Sequence, residues 1–198
     1  MKGGKNMQKL LRFLGCLLML LAVTATILPE RAAAEFPERP VGFVVIDQDG
    51  DVNGAVYKTW RQVVKWAYHF PYYQIMDGGA PQELVSEAVR TGVKLDKSSL
   101  AALAEKSKMD VLVVARIYEL DEYMVSSLFL RDDGDTYVKT AACADLFVYK
   151  KDGDKFLKKK LRERELREIG NVEHPEETIK WELSKIVNTM EGRPIIGS

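Results

Sequence analysis

The positions of the apolar side chains predict that strands and helices alternate in the first half of the chain. Residues 41–46 form a continuous apolar run with several β-branched members, which predicts a strand covered on both faces. The next segment places apolar side chains on one helical face, at Val56, Trp60, Val63, Val64 and Ala67. Residues 72–76 then predict a short strand, and residues 81–91 predict a helix that ends before Gly92.

Residues 95–117 predict a capped helix that leads into the central strand. Asp96 is placed to accept hydrogen bonds from the free amides at the start of this helix. Leu100, Leu103 and Ala104 give the helix one apolar face, and residues 111–117 predict a buried strand. The residues of this stretch are all explained by a capped helix and a buried strand, and none is left over for a functional site. We therefore expect the stretch to organise the fold.

The second half of the chain predicts strands alone, followed by one helix. Residues 123–131, 136–149 and 155–168 have strand character, and the two loops between them contain the Asp-Gly pair that is typical of hairpins. The last helix begins at Pro175 and has an apolar face of Ile179, Leu183, Ile186, Val187 and Met190. The order β-α-β-α-α-β-β-β-β-α predicts an α+β fold with a mixed sheet of about five or six strands and helices mainly on one face.

The N-terminus has the pattern of a secretory signal peptide over residues 1–34. Four basic residues precede an apolar run at residues 13–28, and three alanines follow at residues 32–34, so we predict cleavage after Ala34. The rest of the chain divides into a linker, one domain and a flexible tail, over residues 35–40, 41–191 and 192–198. The alternative is that the apolar run is retained as a membrane anchor, since it is nearly long enough to span a bilayer.

Charge and cysteine content narrow the possible partners. The 164 residues after Ala34 carry 24 basic and 28 acidic side chains, so nucleic-acid binding is not expected. The basic run within residues 155–168 is interleaved with glutamates, which is typical of an exposed edge strand. Cys143 is the only cysteine after Ala34, so the domain cannot form an internal disulfide. No cofactor is expected.

A short set of residues carries a resemblance to known envelope domains: Leu100, Leu103, Ala104, Asp110 and the apolar strand over residues 111–117. The chain resembles the domains of curli-secretion lipoproteins, of penicillin-binding-protein activator lipoproteins and the N-terminal domain of TolB. Lys108 and Met109 stand where these families usually have Gly-Ala, and the lipid-bearing cysteine is absent. The resemblance implies a non-enzymatic module of the bacterial envelope that binds other proteins.

The acidic loop after the first strand has the oxygen-ligand spacing of a calcium loop, with Asp47, Asp49, Asp51 and Asn53. The pattern departs from the calcium template at its sixth position, which is Val52, and at its twelfth, which is Lys58. A turn whose acids face water or cap the next helix is therefore preferred. A calcium-binding envelope protein stays an alternative.

A small extracytoplasmic hydrolase that uses Cys143 or a histidine is the second alternative. His69 is predicted on the first helix, nearly opposite its apolar face, and His174 in a loop before Pro175. Neither histidine has a nucleophile or a metal ligand at the usual spacing. Asp145 lies two residues from Cys143 and favours the protonated thiol, so catalysis by this cysteine is not the preferred hypothesis.

The preferred hypothesis is an exported, periplasmic or extracellular domain that acts through contacts with envelope proteins. Trp66 and Trp181 are predicted away from the centres of their apolar helix faces, and exposed tryptophans are common interface anchors. One face of the strand over residues 136–149 mixes polar and apolar side chains. Three residues on that face are further candidates for contact with a partner: Tyr137, Cys143 and Asp145. The identity of the partner and the oligomeric state stay open.

Overall fold

The computed structural model describes residues 38–47, 49–69, 72–126, 136–168 and 173–194. The strands are β1 (Arg39–Asp47), β2 (Tyr73–Asp77), β3 (Val111–Ser126), β4 (Thr136–Lys150) and β5 (Lys155–Glu168). The helices are α1 (Gly54–Ala67), α2 (Gly79–Arg90), α3 (Lys97–Ser107) and α4 (Pro175–Met190). The predicted signal peptide lies outside the described residues, as do parts of the predicted linker and tail.

The described strands form one mixed sheet in the order β2-β1-β3-β4-β5. β1 pairs in parallel with β2 and with β3, whereas β3, β4 and β5 pair in antiparallel. The two parallel pairs require helical crossovers, and the two antiparallel pairs follow from direct strand-to-strand connections. The predicted α+β class with a mixed sheet is therefore confirmed, and the heavily charged β5 lies at an edge of the sheet.

The helices lie on both faces of the sheet, so the expectation that they lie mainly on one face is wrong. One apolar cluster joins α1 and α4 to Val41, Phe43 and alternate residues of β3 and β4. A second cluster joins α2 and α3 to Val44, Ile46 and the intervening residues of β3 and β4. Because β1 and the first half of β3 are apolar on both faces, each face needs a layer of helices to exclude water.

The central strand is longer than predicted, which reduces the number of described strands to five. The predicted strands over residues 111–117 and 123–131 belong to one strand, β3, as far as the structure describes them. The pairing with β4 shifts in register between Ile117 and Glu119, so Tyr118 is an extra residue in a β-bulge. The bulge lets β3 continue through residues 118–122, which belong to neither of the two predicted strands. The predicted hairpin loop over residues 132–135 lies outside the described residues.

The predicted passage from a capped helix into the central strand is confirmed. Asp96 Oδ1 accepts a hydrogen bond from the Ser99 amide at 3.0 Å, and Ser99 Oγ accepts one from the Asp96 amide at 2.9 Å. After α3, the Asp110 amide donates to Pro40 O at 2.8 Å, and Asp110 O accepts from the Lys151 amide at 2.8 Å. The first residues of β3 are thereby fixed between β1 and β4.

Helix α4 is held at both of its ends. Near its start, the buried Trp60 of α1 donates from Nε1 to Glu176 O at 2.9 Å. At its end, Lys150 Nζ of β4 forms an ion pair with Glu191 at 2.8 Å, and both side chains are largely buried. These contacts fix α1 and α4 as one layer over the sheet. No helix of the described residues is long and apolar enough to cross a membrane.

We expect Trp60→Phe to lower the free energy of unfolding by about 1–3 kcal/mol, because it removes the hydrogen bond from Trp60 Nε1 to Glu176 O and reduces the buried volume. Trp66→Phe is the matched control, since Trp66 lies on the same helix but is 68% exposed. The control should change stability by less than about 0.5 kcal/mol. Urea denaturation measures both, and equal losses in the two variants would contradict the assignment of Trp60 to the core.

Candidate functional site

The helices that the structure describes cover only part of the length of the sheet face under α2 and α3. The apolar cluster beneath these helices ends at Val114 on β3 and Phe147 on β4. The next row across the three aligned strands is polar and consists of Arg116, Asp145 and Lys160. Beyond that row lie charged and aromatic side chains, and Tyr123 and Leu166 are 48% and 60% exposed. We call the surface from this polar row to Tyr123 and Leu166 the open sheet face.

Asp145 lies at the centre of the polar row and holds two cations. Its side chain is almost fully buried, and its Oδ1 accepts a hydrogen bond from Arg162 Nη2 at 2.7 Å. Its Oδ2 forms an ion pair with Lys158 Nζ at 3.1 Å and accepts a hydrogen bond from Tyr118 Oη at 3.4 Å. Both carboxylate oxygens are thus engaged, and Arg162 is further fixed by its donation to Ala144 O at 2.8 Å.

The charge state of Asp145 follows from this environment. Burial by itself raises the pKa of the Asp145 carboxyl, but the hydrogen bonds from Arg162 and Lys158 outweigh burial and lower the pKa below its ordinary value. Asp145 is therefore ionised at neutral pH. Because it is buried, it does not itself offer a contact surface, and its effect on a partner would pass through the cations that it positions.

The bulge at Tyr118 places an aromatic ring between two guanidinium groups. The ring centroid is 5.0 Å from Arg116 Cζ and 4.7 Å from Arg162 Cζ, which are cation–π distances. One signal in the sequence marks the bulge. In β3, the apolar residues that face α1 and α4 have odd numbers up to Ile117. The next apolar residue on that face is Leu120, which has an even number and packs against the same cluster. This change of parity requires one extra residue in the strand.

Cys143 is as buried as Asp145 and occupies the next row of the same face. Burial raises the pKa of its thiol, so the reactive thiolate is disfavoured. Its neighbour across the strands, Glu119, forms an ion pair with Arg164, and the hydrogen bond from Arg164 lowers the pKa of Glu119. Tyr137 is half-buried near the start of β4, where it pairs with Val125.

The two candidate tryptophans lie on the opposite side of the sheet, on α1 and α4. Trp66 is 68% exposed and forms one wall of an open groove of about 360 Å³, whose other wall includes Lys180 of α4. Trp181 is 40% exposed, and Lys185 Nζ lies 5.6 Å from its ring centroid. We call the groove and these two side chains the tryptophan surface. The five predicted site residues therefore fall on two opposite faces.

The acidic loop uses two of its oxygen-bearing side chains for local structure. Asp47 accepts hydrogen bonds from the amides of Gly50 at 3.1 Å and Val52 at 2.7 Å, which closes the turn. Asn53 Oδ1 accepts from the amides of Ala55 and Val56 at 2.9 and 3.0 Å and caps α1. The loop therefore has the hydrogen bonds expected of a turn that caps the following helix, which is the interpretation preferred from the sequence.

Among the described residues, no hydrogen bond or ion pair joins either histidine to Cys143. Helix α1 ends at Ala67, so His69 follows the helix and does not lie on it as predicted. His174 precedes α4, and its Nδ1 lies 2.6 Å from Glu122 Oε2. The hydrogen bond to Glu122 raises the pKa of His174. Glu176 lies near this pair. The carboxylates of Glu122 and Glu176 and the imidazole of His174 are side chains that can bind a metal ion, and their ligand atoms lie within 4.8 Å of one another at the surface.

No family model and no curated protein matches the chain. Among solved structures, it is similar to the hypothetical protein CT253 from Chlamydia trachomatis, with a TM-score of 0.41, 7% identity, and coverage of 78% of this chain and 95% of that chain. It is also similar to lipoprotein GNA1162 from Neisseria meningitidis, with a TM-score of 0.33, 12% identity, and coverage of 77% and 99%.

A further similar structure is rare lipoprotein B from Shewanella oneidensis, with a TM-score of 0.31, 9% identity, and coverage of 78% of this chain and 92% of that chain. Lipoproteins thus occur both in the group that the sequence resembles and among the similar structures.

We expect Asp145→Asn to lower the free energy of unfolding at pH 7 by about 1–3 kcal/mol, because Arg162 and Lys158 lose a charged acceptor. Since the folded pKa of Asp145 lies below its unfolded value, its contribution is complete above about pH 4 and is lost as the pH falls through the folded pKa. The variant should therefore lose less stability than the wild type on acidification.

Urea denaturation at pH values from neutral to acid measures this difference. Asp49→Asn is the control, because Asp49 is exposed and makes the same change of charge. Parallel stability curves for Asp145→Asn and the wild type down to acid pH would show that Asp145 has no such role.

Proposed function

We propose that the chain is an exported domain of the bacterial envelope that acts by binding other proteins, without catalysis. The exposure of Trp66 beside an open groove carries this proposal. A tryptophan buries a large apolar area on binding and has only two rotatable side-chain bonds, so it loses little entropy. Trp66 is 68% exposed, so its indole ring is accessible to a partner protein.

The surroundings of Trp66 fit a protein partner. The groove is lined by the polar side chains of Lys58, Thr59 and Gln62, and Val63 adds an apolar contact. An apolar centre with a polar rim is the usual composition of a protein interface. On the neighbouring helix α4, Trp181 is also exposed, at 40%.

The two alternative functions have less support. A hydrolase that uses Cys143 needs a thiolate, but burial raises the pKa of this thiol. A calcium loop needs its oxygens free, but Asp47 and Asn53 accept hydrogen bonds from the backbone of their own turn. Export rests on the predicted signal peptide, and the envelope location rests on the resemblance of residues 100–117 to envelope domains.

Crosslinking in cells, followed by identification of the captured proteins by mass spectrometry, tests the proposal. We expect Trp66→Ala and Trp181→Ala each to reduce capture of the same protein, because each removes an anchor of about 2 kcal/mol or more. Val93→Ala is the control, since Val93 is 43% exposed but lies beyond α2, on the other side of the sheet. The control should capture as much protein as the wild type.

Thermal unfolding separates a lost contact from a lost fold. The melting temperature of Trp66→Ala should stay within a few degrees of the wild type, because the side chain is mostly exposed. Unchanged capture by both tryptophan variants, or a large fall in melting temperature that accounts for the loss, would overturn this assignment of the tryptophan surface.

A further inference from the structure

The open sheet face contains a concentration of positive charge that its own acids do not balance. Four cations surround the buried Asp145, and they are Arg116, Lys158, Lys160 and Arg162. We call these four residues the basic patch. One carboxylate leaves a net charge of about +3 on a domain whose mature chain has more acidic than basic residues. Such a local excess favours an anionic ligand.

The donors of the basic patch are only partly used within the described residues. Asp145 engages Arg162 and Lys158 with its two oxygens. Lys160 lies directly opposite Asp145 on β5 and is exposed, and it makes no ion pair or hydrogen bond with a described residue. Arg116 packs against the Tyr118 ring, and its guanidinium group makes no hydrogen bond or ion pair with a described residue. Lys160 and Arg116 therefore retain donors for a ligand.

The patch is built on rigid elements. Arg116, Asp145 and Lys160 are aligned across three hydrogen-bonded strands, so their spacing is set by backbone pairing. The Tyr118 ring lies within cation–π distance of the Arg116 and Arg162 guanidinium groups, which limits the movement of both side chains. Pre-oriented guanidinium groups bind carboxylates through paired hydrogen bonds at a low cost in entropy.

We propose that the basic patch binds the carboxylate groups of an extended, acidic segment of a partner protein. Carboxylate and phosphate groups both suit guanidinium donors, but the rest of the face favours a protein segment. Beyond the patch, the face exposes the apolar surface of Tyr123 and Leu166, which a polyphosphate cannot use. An extended segment that alternates acidic and apolar side chains matches both features.

This inference rests on the proposed function only in that the ligand is a protein. The basic patch lies on the sheet face of α2 and α3, whereas the tryptophan surface lies on the opposite layer. The two proposals can therefore be tested separately. Substitutions in the basic patch lie far from the tryptophan surface, and substitutions in the tryptophan surface lie far from the basic patch.

A titration with the protein purified after export tests the basic patch. The probe is a fluorescent peptide that alternates glutamate and leucine, followed by fluorescence anisotropy. We expect Lys160→Glu to weaken binding by about tenfold, because a donor becomes a repelling charge at close range. Lys160→Gln should weaken it by a smaller factor, and this variant avoids a like-charge pair with Asp145 if Lys160→Glu folds poorly.

The matched controls are Lys65→Glu and Lys65→Gln. Lys65 is exposed on α1, so these variants make the same change of net charge on the opposite side of the sheet. They should change the affinity for the peptide by less than about twofold, because salt at physiological concentration screens the interaction between a charge on that side of the sheet and the bound peptide. Trp66→Ala should also bind the peptide normally, which separates this test from that of the tryptophan surface.

Two further ligands identify the chemistry. A peptide with glutamine in place of glutamate should not compete, and inorganic polyphosphate should compete more weakly than the acidic peptide at equal charge. Equal losses of affinity in the Lys65 and Lys160 variants would mean that only net charge matters and would overturn the proposal. Tighter binding of polyphosphate, or no binding of the acidic peptide, would overturn it as well.

Discussion

The central strand β3 must be shielded from water on both of its faces. Its first half, from Val111 to Ile117, is almost completely buried apart from Arg116, and it pairs with β1 on one side and β4 on the other. Strands of this kind are stable only when both faces are shielded from water. The capped helix α3 and its partner α2 shield one face, and α1 and α4 shield the other.

The covering layers differ in extent, and both candidate surfaces follow from that difference. The layer of α1 and α4 follows the sheet as far as Ala142 on β4 and Leu161 on β5, and its outer side presents the tryptophan surface. The layer of α2 and α3 ends near Phe147, and the strands that no described helix covers beyond it present charged side chains. Asp145 lies at this boundary, where it holds cations that would otherwise repel one another.

Local patterns in the sequence predict the elements better than they predict the site. Asp96 and the leucines of α3 define a capped helix because all their contacts lie within a few residues. The apolar residues on both faces of β1 already require two helical layers, although the order of elements suggested one. The basic patch depends on the register Arg116–Asp145–Lys160, which joins residues up to 44 positions apart. Two hairpins and a bulge set that register, and composition does not encode it locally.

Cysteine labelling along β3 tests the central claim, that helices cover one half of this face and leave the other half open. With Cys16 and Cys143 both replaced by alanine, Val114→Cys and Tyr123→Cys place a single thiol in one half or the other. We expect a maleimide to label the Tyr123→Cys protein rapidly and the Val114→Cys protein slower by about three orders of magnitude or more, because Val114 reacts only after opening of the fold. Equally slow labelling at both positions would contradict an open sheet face.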